Sequence, residues 1–168
     1  KHFVLINGRW FSSKTLADGD WIYIEPDDLP EDFGKIPEDA SISTVLVSVP
    51  GTEEAEEAKY EQQMPQTAVV DRSTASTKVE YDGDPQFKSI SGTGVEYAIN
   101  TASTVLRIKG TYYCVDDGIW FESKNAKGPW IVSDSRPEEV NDIPPSEPVY
   151  NVKYVYIYDS TPDVVYVG

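Results

Sequence analysis

Asn7-Gly8-Arg9-Trp10-Phe11-Ser12-Ser13 returns later in the chain as Asp117-Gly118-Ile119-Trp120-Phe121-Glu122-Ser123, and the rest of the sequence can be read outward from this pair. The four tryptophans all fall in these stretches and their continuations, Asp18-Gly19-Asp20-Trp21 and Lys127-Gly128-Pro129-Trp130. Toward the C-terminus, Pro30 is followed six and seven residues later by Ile36-Pro37, and Pro137 by Ile143-Pro144 at the same spacing. Eight residues further on, Val45-Leu46-Val47-Ser48-Val49 aligns with Val152-Lys153-Tyr154-Val155-Tyr156. Toward the N-terminus, His2-Phe3-Val4-Leu5-Ile6 aligns with Tyr112-Tyr113-Cys114-Val115-Asp116. Self-similarity sustained over that length is the mark of a duplicated supersecondary unit. The second copy carries further strand-like sequence from near Lys78 to Ile108, for which the first has no room. The first copy is therefore expected to be N-terminally incomplete.

Short β-branched and aromatic runs alternate with turn residues throughout the second copy, as in Thr104-Val105-Leu106-Arg107-Ile108 before Lys109-Gly110. Strands this short, joined by turns this tight, leave no room for parallel crossovers and predict antiparallel meanders. One segment breaks the pattern. Thr52 is placed to cap a helix over Glu53 to Gln63, whose early glutamates suit the positive end of the helix dipole, and Pro65 stops it. The expected fold is all-β: two related small antiparallel meander lobes with one short connecting helix. The boundaries are 1–51 for the incomplete repeat, 52–72 for helix and linker, and 73–168 for the complete repeat with its C-terminal strands.

The 168 residues hold 29 Asp and Glu against 14 Lys and Arg, a net charge of −15. With no basic stripe to displace counterions, nucleic acid is excluded as a partner. No apolar run approaches the roughly 18 residues of a membrane span. Cys114 and His2 are each the only residue of their kind, which excludes an intrachain disulfide, a Cys/His zinc site and a dithiol redox motif. A catalytic triad would have to rest on His2. The acidic turns Asp18-Gly19-Asp20, Asp82-Gly83-Asp84 and Asp116-Asp117-Gly118 lack the continuation of a calcium loop and read as hairpin turns. No catalytic activity, cofactor or metal is expected. Carboxylate-only glycoside hydrolysis is the remaining enzymatic route.

The aromatic residues carry two readings. Trp10, Trp21, Trp120 and Trp130 are expected as the core of the two repeats, because a small β lobe poor in Leu and Ile packs on its aromatics. Alternatively, Tyr112, Trp120 and Trp130 form an exposed row on which sugar rings stack. Near the C-terminus, Val152 to Tyr158 and Val164 to Val167 read as weakly guarded strands. Val152, Tyr154, Tyr156, Val164 and Tyr166 are their candidate pairing residues, toward the first lobe or a neighbouring subunit.

The run Gly110 to Trp130, together with Ile143 to Val152 and Tyr158 to Gly168, resembles a repeat region of large bacterial proteins of unknown function, often labelled as resembling carbohydrate-binding families five and twelve. The resemblance spans nearly the whole chain, including Ile42 to Arg72, and implies an excised piece of a longer protein. It implies a non-catalytic structural or protein-interaction module of an extracellular or cell-envelope protein, with polysaccharide binding as the alternative.

Overall fold

In the computed structural model, which describes residues 1–168, the chain divides into two units, Lys1–Pro65 and Gln66–Gly168. The first opens with β1 (His2–Ile6), β2 (Arg9–Ser13) and β3 (Ile22–Ile24), an antiparallel sheet in chain order. Ile6 and Arg9 pair across a two-residue turn in which Asn7 and Gly8 take φ of 48° and 73°. Both φ values are positive, as a type I′ hairpin demands, and Asn-Gly is the dipeptide that adopts them at least cost.

After β3 the chain runs into three 3₁₀ turns, Pro26–Asp28, Glu31–Lys35 and Ser43–Ser48, and then helix α1 (Glu53–Gln62). Thr52 caps α1 as expected, its hydroxyl accepting from the Ala55 amide at 3.2 Å. The helix does not connect lobes, however. It belongs to the first unit, where Ala55 is buried and α1 packs on the Ser43–Ser48 turn. Thr52 strengthens this attachment by donating to the Leu46 carbonyl at 2.7 Å.

The second unit begins with residues read as linker. β4 (Ala68–Asp71) precedes a six-stranded antiparallel meander of β5 (Phe87–Ser89), β6 (Val95–Ala98), β7 (Thr104–Ile108), β8 (Thr111–Asp116), β9 (Ile119–Ser123) and β10 (Ile131–Val132). 3₁₀ turns follow at Glu138–Asp142 and Tyr150–Tyr154, then β11 (Ile157–Ser160) and β12 (Val164–Val167). β12 is the centre of a second sheet, flanked by β11 and by β4, with Val164 opposite Asp71 and Val167 opposite Ala68. The terminal strands thus pair within their own unit, and neither the first lobe nor another subunit is needed to cover β12.

Both faces of the six-stranded sheet are buried. On one, Trp120, Leu106, Val95 and Ile108 pack with Val140, Ile143 and Val152 from the 3₁₀ turns. On the other, Phe121, Cys114 and Val105 pack with Val165 and Val167 of the second sheet. Adjacent residues such as Trp120 and Phe121, or Val105 and Leu106, therefore both lie in core. Arg72 ties the layers at one end, donating to the carbonyls of Thr161 (2.8 Å) and Val132 (2.9 Å) and to Asp134 (2.5 Å).

Val152 and Tyr154 are not in a strand. Val149, Val152 and Val155 repeat every third residue, and in a 3₁₀ turn such side chains eclipse one another, so all three reach the core together. Trp21 also departs from expectation, being half-buried like Trp130, whereas Trp10 and Trp120 are enclosed at 3% and 0% exposure. Each enclosed indole makes one long-range hydrogen bond. Trp10 Nε1 donates to the Ser48 carbonyl at 2.7 Å, and Trp120 Nε1 to the Val155 carbonyl at 2.8 Å. These carbonyls stand at the C-terminal ends of 3₁₀ turns, where they have no partner within the turn.

Trp120→Phe keeps a ring in the core but leaves the half-buried Val155 carbonyl without its indole donor. Chemical denaturation is expected to show a loss of about 1–3 kcal/mol, with Trp10→Phe giving the same sign in the first unit.

Candidate functional site

The only thiol is held out of chemistry by its position. Cys114 is fully buried between Phe121 and Val105, and burial pushes it up to about 11. Its polar neighbour is the Thr77 hydroxyl at 4.0 Å. His2 sits exposed at the start of edge strand β1. No group of three or more His, Cys, Asp or Glu side chains is placed to hold a metal ion.

The carboxylates that the fold does engage are acceptors. Glu96 receives Arg107 Nε at 2.5 Å and an Arg107 terminal nitrogen at 2.6 Å, which chiefly hold its carboxyl below the usual range against a smaller opposing effect of burial. Glu139 is lowered in the same way, by its hydrogen bond with Lys109. A general acid needs the opposite displacement, a carboxyl held protonated near neutrality. Glu122, half-buried on β9, accepts from the Ser133 hydroxyl at 2.8 Å.

The three rings expected to stack sugars do not form a platform. Trp120 is sealed in the core with Tyr113 edge-on at 6.2 Å. Tyr112 is half-buried against Phe87, ring centroids 5.6 Å apart and 61° between planes. Trp130 is half-buried, and its Nε1 is enclosed without a hydrogen-bond partner. The physical reason is that both faces of the meander are covered and the rings are divided between them: Trp120 lies under the 3₁₀ turns, while Trp130 packs on the side of the second sheet.

The exposed rings lie elsewhere. Tyr156, Tyr158 and Tyr166 are 40%, 52% and 37% exposed, while Ile157, Val165 and Val167 between them turn inward. Tyr156 and Tyr158 lie 6.0 Å apart at 34°, and Arg136 stands 4.9 Å over the Tyr156 ring. Exposed Val69 is opposite Tyr166 and extends this outer face onto β4. Sequence reasoning singled out Tyr156 and Tyr166 for strand pairing and overlooked their rings. The available signal was tyrosine at every second position in Tyr154 to Tyr158, although Tyr154 itself ends a 3₁₀ turn and bonds the Tyr150 hydroxyl at 2.9 Å. In the first unit, an open groove of about 930 Å³ is lined by Ser12, Thr15, Asp20, Ile22 and Tyr23 among others, with Thr15 donating to Asp20 at 2.6 Å.

No protein-family model matches the chain, and neither a curated protein nor a solved structure is significantly similar to it. No helix is long and apolar enough to cross a membrane.

Two outcomes follow from the electrostatics. Folded protein at pH 8 should leave Cys114 unreactive toward a disulfide-exchange reagent, whereas denaturant releases one titratable thiol; prompt reaction of the native chain would contradict its burial. Because the folded Glu96 carboxyl lies below its unfolded value, the pair with Arg107 stabilises above the unfolded value and loses that contribution as pH falls through the folded one. With side-chain exposures of 31% and 36%, solvent screening limits the effect, and Glu96→Gln should cost less than about 1 kcal/mol near pH 7 and nothing once the carboxyl is protonated.

Proposed function

We propose that this chain is a non-catalytic structural or protein-interaction module of an extracellular or envelope-associated bacterial protein, built from two copies of one β motif. The observation that carries the reading is the matched pair of indole clamps, Trp10 to Ser48 and Trp120 to Val155. Their surroundings match step for step. Asp117 and Gly118 take φ of 47° and 74°, repeating Asn7 and Gly8. Leu5 pairs with Trp10 as Val115 pairs with Trp120. The Ser13 hydroxyl accepts from Thr15 N, and the Ser123 hydroxyl from Asn125 N, both at 3.1 Å. In both copies the tryptophan most committed to the motif holds the fold together, which leaves surface and strand edges for function. The resemblance to repeat regions of large bacterial proteins agrees with such a role.

Carbohydrate binding is the second reading, favoured by the exposed tyrosines of the second sheet rather than by Tyr112, Trp120 and Trp130. Sugar rings stack on exposed aromatic faces, and Tyr158 and Tyr166 offer theirs to solvent.

A pull-down on chitin and cellulose, run with a panel of glycosides as substrates, separates these readings. The module reading expects no retention and no turnover. Retention abolished by Tyr158→Ala with Tyr166→Ala would replace it with the carbohydrate reading, and turnover would overturn both.

A further inference from the structure

The open groove of the first unit has a counterpart in the second. A smaller groove of about 240 Å³ there is lined by Glu122, Ser123, Lys124, Asn125, Pro129 and Ile131 among others. In the alignment of the two copies these are the positions of Ser12, Ser13, Lys14, Thr15, Asp20 and Ile22, all of which line the groove of about 930 Å³. Strand register agrees, since Ser12 lies between Phe3 and Ile22 as Glu122 lies between Tyr113 and Ile131. The second copy carries the fuller sheet, β5 to β8 included, and its groove is open all the same. The groove therefore belongs to the β2–β3 and β9–β10 pairs themselves.

The two grooves differ in how far they are filled. In the second copy the longer Glu122 reaches the Ser133 hydroxyl, and Pro129 stands in place of Asp20. In the first, Ser12 is only 6% exposed, yet its hydroxyl, bonded by no other group of the protein, opens into the groove. Such a hydroxyl gains a hydrogen bond when an acceptor is bound beside it. Ile22, its cross-strand neighbour, is 71% exposed and offers an aliphatic surface to a partner side chain. Asp20, Glu25 and Asp28 line the groove around β3, and Lys1 and Lys14 line it around β1 and β2. Asp20 and Glu25 accept from the hydroxyls of Thr15 and Tyr23, and none of the three carboxylates is paired with a cation of the protein.

We propose that the groove beside β3 binds an extended segment of a cationic partner protein. The segment lays an aliphatic side chain on Ile22, accepts from Ser12 with a main-chain carbonyl, and sets a lysine or arginine against the carboxylates around β3. This rests on the two-copy, protein-interaction reading above and names the surface that reading uses. The net charge of −15 steers a cationic partner toward the chain and opposes a second copy of it. The groove beside β10, narrowed by Glu122 and Pro129, is the internal control.

The probe is a capped five-residue peptide alternating lysine and leucine, titrated into the full isotope-labelled chain while amide resonances are followed residue by residue. Saturable shifts are expected at Ser12, Lys14 and Ile22, with smaller ones around Ile131. The same peptide with glutamate in place of lysine is expected to leave them unmoved. Ile22→Ser, at a site exposed enough for the fold to tolerate it, should weaken binding about tenfold, the loss of one buried aliphatic contact. Ser12→Gln gives this position the size of Glu122 without its charge and should weaken binding by a similar factor, with unchanged Trp10 indole N–H exchange as the sign of an intact unit. Absence of saturable shifts at these residues, shifts spread over the whole acidic surface, equal binding of the glutamate peptide, or full affinity in either variant would each overturn the proposal. Soluble chitin and cellulose oligosaccharides are the second probe. If neither peptide nor saccharide shifts the groove residues, only the groove assignment is lost, whereas saccharide shifts there without peptide binding remove the protein-interaction reading as well.

Discussion

An indole N–H closing on the last carbonyls of a 3₁₀ turn is the contact from which the rest of this structure is arranged. A turn of this kind leaves its terminal carbonyls without internal partners, and burying one unpaired is costly. Trp120 resolves that problem at Val155 and at the same time places its ring among Leu106, Val140 and Ile143. One side chain thereby fixes where the irregular segment lies on the sheet, how deep it sits and which of its residues face inward. Trp10 does the same at Ser48 with a smaller set, its ring meeting Phe33 edge-on at 5.0 Å.

The two units differ in how much lies beyond that clamp. In Gln66–Gly168 the six-stranded sheet is enclosed between 3₁₀ turns on one face and the β4, β11 and β12 sheet on the other. In Lys1–Pro65 three strands and a smaller cluster of Trp10, Ile24 and Val49 carry the core, and α1 packs on the turn rather than on the sheet. Valine, isoleucine and leucine make up most of the buried side chains, and Trp10 and Trp120 are the large rings around which they pack.

Electrostatics set the character of the surface more than of the core. The excess of carboxylates is largely solvent-facing, and the ion pairs are local or partly exposed, so they contribute modestly and weaken with salt.

The local features were legible in the sequence because local chemistry decides them. Asn7-Gly8 and Asp117-Gly118 dictate their turns, Thr52 and Pro65 bracket α1, and the strand runs from Phe87 to Val132 lie where alternation and turn residues place them, whereas the strand-like sequence from Lys78 to Tyr81 forms no strand. The aligned tryptophans marked where the two indole clamps form. What the sequence left undecided was which faces would be covered, because that depends on residues far away along the chain. β4 reads as linker until β12 pairs with it, and Val149 to Val155 reads as strand until the core accepts its three-residue period. Tyr112, Trp120 and Trp130 read as a platform until the fold places Trp120 under the 3₁₀ turns and Trp130 on the opposite face, on the side of the second sheet, whose own Tyr158 and Tyr166 are the exposed rings. Short-range sterics and turn chemistry determine φ and ψ one residue at a time, whereas burial is a property of two surfaces meeting, and only the tertiary structure brings them together.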